Sequence, residues 1–403
     1  MTATIRPAEG RPAPVNPQLA RVFAPPVMEA RRWLTETRLP EGLELLNLSQ
    51  AAPVDPPPER LRAAMAGAVG APGEAHLYGA VLGDGPLRAQ IAADWSEHYG
   101  APIAPEQVAI TAGCNQAFCA AIATLCAPGD AVLLPVPWYF NHKMWLGMQG
   151  IEAVPLPCGP DMVPDLAAAR ALLTPQTRAL VLVTPNNPTG VEYPPGLMEA
   201  AYDLAREAGI GLIVDETYRD FHSAAGAPHG LFARPDWDGT LIHLYSFSKV
   251  FRLTGHRTGA IVTGAARLAE AEKFLDTVTI CPPRTGQIAA LEGLRHLRQW
   301  VAGERAEILA RRDALRAAFA GLEGWQVLGS GAYFAWVRPP FDMASDRLAL
   351  RLLEDQAILT LPGTMFVPEA AAAAGNRALR IAFANADAAG LAEMGRRLAA
   401  FAP

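Results

Sequence analysis

Residues 179–218 read ALVLVTPNNPTGVEYPPGLMEAAYDLAREAGIGLIVDETY, and this stretch decides the fold. Its two apolar runs, Ala179–Thr184 and Gly211–Asp215, are continuous rather than alternating in polarity, which is typical of strands buried on both faces. Between them, Gly196–Ala208 has the spacing of an amphipathic helix. A strand, a helix and a second strand in succession predict one unit of a parallel sheet covered by helices.

The same alternation continues on both sides, from about Leu61 to Gln299. Further strands are predicted at Val108–Thr111, Ala131–Leu134, Leu241–Tyr245 and Ala260–Thr263, and a further helix at Ala117–Leu125. We therefore expect an α/β fold with a mostly parallel sheet flanked by helices, in a large domain that spans residues 46–299.

The pattern changes after residue 299. Helices are predicted from Trp300 to Leu322, near Asp346–Gln356 and from an N-cap at Asp387 to Phe401, and strands at Ala332–Val337, Ile358–Leu361 and Leu379–Phe383. This mixture predicts a smaller α+β domain over residues 300–403. Residues 1–45 are irregular and Pro-rich, and we expect an N-terminal arm that packs with the small domain.

The composition excludes several classes of function. The chain has 403 residues and a net charge of −6, which argues against nucleic acid as the main partner. No apolar run is long enough to cross a bilayer, and the region from Met1 to Pro17 lacks the apolar core of a signal peptide, so a cytoplasmic location is expected. The five cysteines contain no Cys-x-x-Cys pair and the eight histidines are dispersed, so no metal site is predicted.

Reactive side chains follow the predicted strands at the point where each strand ends. Asp215 ends one strand, Lys249 follows the next in Ser246-Phe247-Ser248-Lys249, and Gly113 begins a small-residue turn before a helix. Ligands bind beyond the carboxyl ends of the strands in an open parallel sheet, so these groups are expected to meet there. An amine, a buried anion and a phosphate-binding helix start are the groups that pyridoxal 5′-phosphate requires.

Three motifs carry a resemblance to a known family: Asn-Pro-Thr-Gly at 187–190, Ser-x-Ser-Lys at 246–249 with Thr-Gly-x-Arg at 254–257, and Arg-Ile-x-Phe at 380–383. In this order and spacing the chain, from about Leu46 to its C-terminus, resembles the class I/II aminotransferases of the aspartate aminotransferase superfamily, fold type I. The resemblance implies transfer of an amino group from an L-amino acid to a 2-oxo acid by a ping-pong mechanism.

The resemblance also implies roles for individual residues. Lys249 would form the imine with the cofactor and shuttle the proton, and Asp215 would pair with the pyridinium nitrogen, supported from behind by His142. The other implied cofactor contacts are Asn187 and Tyr218 to the 3′-oxygen, Tyr139 stacked on the ring, Gly113, Cys114, Asn115, Ser246, Ser248 and Arg257 around the phosphate, and Tyr78 reaching the phosphate of the neighbouring subunit in a homodimer with shared active sites. Arg380 would bind the substrate carboxylate, near Ala51 and Asn187.

The sequence departs from the family pattern at places that bear on the substrate. Ala51-Ala52-Pro53 stands where many relatives have Gly-Glu-Pro, and His256 stands where Trp is common. Relatives specialised for dicarboxylates carry a second arginine shortly before a Pro-Pro pair, and here residues 275–281 before Pro282-Pro283 contain none. Dedicated aspartate specificity is therefore not expected, although Arg284 and Arg21 remain candidates for a second arginine.

Two other functions are compatible with the same motifs. The first is a different pyridoxal-phosphate reaction on the same scaffold, a β-lyase, decarboxylase or racemase, because the outcome depends on which Cα bond lies perpendicular to the ring. The second is a cofactor-sensing regulator, which needs a basic helix-turn-helix module before the domain. The roughly forty Pro-rich residues available there are too few for that module.

Overall fold

The computed structural model describes residues 13–373 and 377–402, so the first twelve residues of the predicted arm lie outside the described residues. The strands, in chain order, are β1 Leu46–Asn47, β2 Val108–Thr111, β3 Ala131–Val136, β4 Glu152–Pro157, β5 Thr177–Val183, β6 Gly211–Asp215, β7 Leu241–Ser246, β8 Gly259–Val262, β9 Gln326–Gly331, β10 Phe334–Arg338, β11 Ile358–Leu359, β12 Leu361–Pro362 and β13 Leu379–Ile381. The α-helices are α1 Pro17–Ala20, α2 Pro26–Glu36, α3 Glu59–Gly70, α4 Gly85–Tyr99, α5 Cys114–Leu125, α6 Phe140–Met148, α7 Leu166–Leu172, α8 Pro195–Ala208, α9 Trp237–Thr240, α10 Phe247–Val250, α11 Ala265–Thr279, α12 Arg284–His296, α13 Arg298–Ala320, α14 Ser345–Gln356, α15 Glu369–Ala373 and α16 Ala388–Ala400.

Seven strands form the large sheet, in the order β2-β8-β7-β6-β5-β3-β4. The pairs from β7 to β4 are parallel, and β8 is antiparallel to both β2 and β7. This confirms the predicted mostly parallel sheet. Leu180 and Leu212 belong to the core on one face, whereas Val181 and Ile213 belong to the core on the other, so the central strands are continuous apolar runs because both of their faces are buried.

The edge strand β4 was not predicted. Among the described residues it pairs only with β3, three of its six residues are exposed, and it contains Pro155 and Pro157. Proline cannot donate to a strand ladder, so it is tolerated on an edge strand but weakens the sequence pattern of a strand.

A second sheet of four antiparallel strands, in the order β12-β13-β10-β9, lies in the C-terminal part of the chain. The predicted strand Ile358–Leu361 is divided: β11 pairs in parallel with β1, and β12 joins the second sheet through β13. β9 was not predicted, because its Gly-containing sequence Gln326–Gly331 lacks a strand pattern. This α+β arrangement confirms the predicted fold of the C-terminal part, while the boundaries at residues 45 and 299 stay predictions.

The last helix, α16, begins as predicted at an N-cap, where Asp387 Oδ1 accepts a hydrogen bond of 2.8 Å from Gly390 N. In the described part of the arm, α2 packs Val27 and Trp33 against a cluster that contains Phe140 and Phe366. The arm thus contacts α6, which follows β3 of the large sheet, and the turn that follows β12 of the small sheet. Across residues 13–373 and 377–402, no helix has the length and apolar character needed to span a bilayer.

Candidate active site

A cavity of about 500 Å³ opens where β2, β5, β6 and β7 end. The carboxyl ends of parallel strands meet at one edge of a sheet, which brings side chains from distant parts of the sequence together. The predicted site residues that line the cavity are Ala51, Cys114, Asn115, Tyr139, Asn187, Asp215, Tyr218, Ser246, Ser248, Lys249, Arg257 and Arg380.

Asp215 is a buried carboxylate at the end of β6. Its Oδ1 accepts hydrogen bonds from Thr217 N at 3.0 Å and from the Cys114 thiol at 3.5 Å, and His142 Nε2 lies 3.4 Å from its Oδ2. Burial by itself raises the pKa of Asp215, but the contacts with His142 and Thr217 outweigh burial and hold the pKa below its ordinary value. Asp215 is therefore a fixed negative charge in the cavity wall.

His142 lies behind Asp215 and does not line the cavity. Its ring stacks on Phe118 with 3.8 Å between the ring centroids and meets the edge of Tyr139 at 4.9 Å. These two aromatic contacts fix the ring plane and thereby the direction from which His142 faces the carboxylate. The position is the one that the resemblance implies for a supporting histidine.

Lys249 lies in α10, one turn of helix whose N-cap Ser246 accepts a hydrogen bond from Ser248 N. Its Nζ donates a hydrogen bond of 2.5 Å to the Ala51 carbonyl. Burial, together with the positive charges of Arg257 and Arg380, lowers the pKa of Lys249 to about 7. A large fraction of the amine is thus neutral at neutral pH and can act as a nucleophile or a base.

One end of the cavity has the groups of an anion site. The N-terminus of α5 follows Gly113, whose φ of +85° is a conformation that favours glycine, and a Cβ built there would overlap Arg257 Nη2. The Arg257 guanidinium donates hydrogen bonds to Ser248 Oγ at 3.3 Å and to Thr254 O at 3.0 Å. Gly113 does not itself line the cavity, but its missing side chain leaves the space in which Arg257 approaches the helix N-terminus.

Arg380 enters the cavity from β13 of the small sheet and is 2% exposed. Its guanidinium donates to Asn187 Oδ1 at 3.2 Å and to the Ser49 carbonyl, while its buried Nε has no hydrogen-bond partner among the described residues. The Phe334 and Phe366 rings each lie 5.0 Å from the guanidinium carbon. Burial lowers the pKa of Arg380 to about 10, because no carboxylate of the described residues pairs with it.

The loop after β5 shows which asparagine of Asn186-Asn187 is structural. Asn186 Oδ1 accepts hydrogen bonds from Thr189 N at 3.0 Å and Thr189 Oγ1 at 2.8 Å, and Asn186 Nδ2 donates to Tyr193 Oη at 3.0 Å. These bonds hold the turn. Asn187 lines the cavity and uses its Oδ1 for Arg380, which leaves its amide N–H groups as donors.

The cavity also contains the two predicted tyrosines, of which Tyr218 is buried and Tyr139 is partly buried. Tyr139 Oη donates to Asn115 Oδ1 at 3.3 Å and accepts from Asn141 Nδ2 at 3.1 Å. Tyr218 packs against the Tyr333 and Phe334 rings at 5.4 and 5.2 Å. Burial raises the pKa of both tyrosines above the ordinary value, so both hydroxyls stay protonated and serve as hydrogen-bond donors.

Three predicted residues do not line the cavity, namely Gly113, His142 and Tyr78, and of these Tyr78 lies at the surface. Its side chain is 79% exposed, and its implied role concerns a neighbouring subunit, so that role stays a prediction. Several other residues line the cavity without having been predicted as site residues: Pro25, Val27, Gln50, Phe140, Asn141, Val183, Thr217 and Phe334. Thr217 lies two positions after Asp215, so the rule that ligands bind beyond the ends of parallel strands could have predicted it. Pro25 and Val27 belong to the N-terminal arm, and no sequence pattern indicates where that arm packs.

Comparisons with known proteins show what the chain as a whole is similar to. A family model described as aminotransferase class I and II matches residues 44–398. The valine–pyruvate aminotransferase of Mycobacterium tuberculosis is 31% identical over 91% of this chain and 93% of its own length, and the L-glutamine–4-(methylsulfanyl)-2-oxobutanoate aminotransferase of Bacillus subtilis is 29% identical over 82% and 83%. Among solved structures, the aspartate aminotransferase from Thermus thermophilus with maleate superposes with a TM-score of 0.87 at 25% identity, covering 96% of this chain and 99% of that one.

Proposed function

The chain belongs to the class I and II aminotransferases, and from that premise we propose that its cavity binds pyridoxal 5′-phosphate through Lys249 and Asp215. The observation that carries the proposal is the charge pattern of the cavity. Lys249, Arg257 and Arg380 line it, and none of the three forms an ion pair with a carboxylate of the described residues. Arg380 is buried, Lys249 is partly buried and Arg257 is exposed. Cations that are buried or partly buried without a counter-charge favour an anionic ligand, because burial of unpaired charge is costly.

The phosphate end of the proposed cofactor fits the α5 side of the cavity. Arg257, the Ser246 and Ser248 hydroxyls and the N-terminus of α5 at Cys114 and Asn115 supply donors there. Backbone N–H groups at a helix N-terminus and a guanidinium are the usual donors to phosphate oxygens.

The ring of the proposed cofactor fits the residues next to this phosphate end. Asp215 supplies a carboxylate for a protonated ring nitrogen, and Asn187 and Tyr218 supply donors for a ring oxygen. Tyr139 supplies an aromatic face whose orientation is fixed by hydrogen bonds to Asn115 and Asn141.

When bound, pyridoxal phosphate supplies an aldehyde that condenses with amines and a ring that accepts electrons released at the substrate Cα. Lys249 Nζ is the only amine among the side chains that line the cavity, and its lowered pKa lets it accept the Cα proton at neutral pH and return it to the cofactor side. Asp215 stays ionised throughout because His142 and Thr217 hold its charge. Arg380 lines the cavity and orients the substrate through its carboxylate.

The substrate class follows from what remains in the cavity after these assignments. Arg257 serves the phosphate, Arg380 the substrate carboxylate and Lys249 the proton, and the other lining residues toward the arm are apolar or neutral: Pro25, Val27, Gln50, Phe140 and Asn141. The donor and the acceptor are therefore proposed to carry uncharged side chains. The relatives' names include both neutral and acidic substrates, so this part of the proposal is supported by the cavity rather than by the names.

The two arginines that the sequence left open do not supply a second carboxylate site. Arg284 is engaged by Asp84 and, at 3.1 Å, by Glu74, and it does not line the cavity. Arg21 is exposed and does not line the cavity either. Neither residue supports a side-chain carboxylate of the substrate within this chain.

We further propose a homodimer. Leu77, Tyr78, Val278 and Ile280 are exposed, and their two segments are neighbours because Gly79 N donates to Cys281 Sγ at 3.4 Å. Adjacent exposed apolar side chains are typical of a protein interface. In such a dimer Tyr78 is proposed to reach the partner's phosphate, and light scattering after gel filtration, together with the cofactor affinity of Tyr78→Phe, tests both statements.

The proposed function is tested with a panel of amino donors against pyruvate and 2-oxoglutarate. We expect new amino acid product with donors that have uncharged side chains, a preference for pyruvate, and no turnover in Lys249→Ala. Release of ammonia and pyruvate with no new amino acid would instead indicate a lyase. Turnover by Lys249→Ala, or a preference for aspartate and glutamate, would contradict the proposal.

A further inference from the structure

The segment 49–52, Ser49-Gln50-Ala51-Ala52, leaves the sheets at the point where it enters the active site. Just before it, Leu48 N donates to Leu359 O at 2.8 Å and Leu48 O accepts from Ala382 N at 2.9 Å. After Leu48 the segment pairs with no strand among the residues that the structure describes. Its position therefore depends on side chains rather than on a backbone ladder.

Two of those side chains are the cations of the cavity. Arg380 Nη2 donates to the Ser49 carbonyl, and Lys249 Nζ donates to the Ala51 carbonyl at 2.5 Å. The Ser49 carbonyl thereby fixes the orientation of the Arg380 guanidinium, which lines the cavity. The bond from Lys249 is lost whenever that amine takes part in the reaction, so another group is needed to hold residues 50–52.

Asn385, the last residue of a 3₁₀ turn at Phe383–Asn385, is placed to do this. Its Nδ2 donates to the Gln50 carbonyl and, at 3.3 Å, to the Asn47 carbonyl, while its Oδ1 is 3.4 Å from Ala52 N. One neutral amide thus meets two acceptors and one donor, which a carboxylate or an amine cannot do.

Asn385 makes these contacts from outside the active site. It does not line the active-site cavity but lies on a surface depression at the back of the segment, which Asn47 and Leu48 also line. Gln50 and Ala51, by contrast, line the active-site cavity. Asn385 therefore acts on substrate only through the segment.

The geometry points to Asn385 as a positioning residue that holds segment 49–52 against Arg380 and Lys249 and thereby sets the affinity for the substrate carboxylate. This inference rests on the proposed function. Because Asn385 is only partly buried, water replaces its hydrogen bonds when it is removed, and the fold loses little. The segment then shifts, and the Ser49 carbonyl no longer fixes the guanidinium.

The test compares Asn385→Ala and Asn385→Asp with the wild-type holoenzyme. Asp keeps the size and the acceptor for Ala52 N but lacks both N–H donors, so both variants release the Gln50 carbonyl. The matched control is Gln326→Ala, which removes an exposed amide of the same small sheet that contacts Arg338 and not segment 49–52.

Two quantities are measured: KM and kcat for the best amino donor, and the dissociation constant of 3-methylbutanoate, a carboxylate without an amine. We expect both variants to raise KM and this dissociation constant about tenfold, equivalent to about 1.4 kcal/mol, with kcat within about twofold of wild type and the control unchanged. If Asn385→Ala does not fold, the KM and the dissociation constant of Asn385→Asp alone test the inference.

Unchanged KM and carboxylate affinity, or a lower melting temperature as the sole effect, would overturn the inference and leave the proposed function standing. Wild-type protein that binds no coenzyme and forms no amino acid would instead reject the proposed function itself.

Discussion

The Lys249 amine donates a 2.5 Å hydrogen bond to the Ala51 carbonyl, across 198 positions of sequence. This bond joins the end of the large sheet to the segment that leads in from β1, and the amine lines the same cavity as Asp215 and Arg380. The surrounding burial and the two neighbouring arginines keep the amine close to its neutral form at neutral pH.

The first prediction concerns the titration of this amine in cofactor-free protein. The chain has only three lysines, Lys143, Lys249 and Lys273, so peptide mass spectrometry can follow each during reductive methylation at different pH. Methylation consumes the neutral amine, so Lys249 is expected to reach half its maximal rate at about pH 7. Arg257→Gln and Arg380→Gln each remove a neighbouring positive charge and should raise that midpoint.

Exposed Lys273 is the internal reference for the same samples. A Lys249 profile that overlays that of Lys273 would show that burial does not control the amine, and the role of Lys249 as a base at neutral pH would have to be abandoned.

The second prediction concerns Asp215. Asp215→Asn keeps the shape but removes the buried negative charge that His142 faces at 3.4 Å. The proposed protonated ring nitrogen then loses its counter-charge. Hydrogen bonds to charged groups contribute about 1.5–3 kcal/mol, so the single-turnover rate with an amino donor should fall about 10- to 100-fold. Asp342→Asn, at a carboxylate whose side chain is 91% exposed, is the control and should leave the rate unchanged. A near wild-type rate in Asp215→Asn would remove Asp215 from the proposed site.

The third prediction concerns Arg380. Arg380→Lys keeps the charge but cannot bond Asn187 and Ser49 and still offer two parallel donors to a carboxylate. Hydrogen bonds to charged groups contribute about 1.5–3 kcal/mol, so kcat/KM should fall about 10- to 100-fold, mainly through KM. Cofactor affinity, measured by fluorescence titration of cofactor-free protein, should stay as in wild type. Equal losses of cofactor and substrate affinity would argue that Arg380 supports the fold rather than the substrate.

The fourth prediction concerns Gly113. Gly113→Ala places a Cβ on Arg257 Nη2, and the displaced guanidinium should weaken cofactor binding at least about tenfold, as expected for loss of a charged hydrogen bond. Gly100→Ala is the matched control, because Gly100 has a φ of +65° and open space around its Cβ position. The control should lose about 1 kcal/mol of stability from backbone strain and keep full cofactor affinity. Equal affinities in the two variants would exclude a phosphate site at Gly113.

The local pattern of the sequence determined the large sheet and the groups at its edge. Continuous apolar runs such as Gly211–Asp215 identify strands buried on both faces, and the residue that ends such a strand must lie at its carboxyl end. For this reason Asp215, Asn187 and Lys249 were predictable as neighbours, although their roles with the cofactor stay predictions. The edge strand β4 was not predicted, because a partly exposed strand that contains proline lacks the continuous apolar run of a buried strand.

The tertiary structure alone decided how the rest of the chain meets this edge. Val27 and Gln50 reach the cavity because the arm and β1 dock on it, and Asn385 reaches residues 47–52 from more than three hundred positions away. Such contacts depend on complementary shape and hydrogen bonding between surfaces that are distant in sequence. The local hydrophobic pattern of the sequence therefore cannot predict them. The sequence thus determined which chemical groups lie together at the edge of the large sheet. The packing of the arm and the small sheet against the large sheet decided the shape of the cavity around those groups.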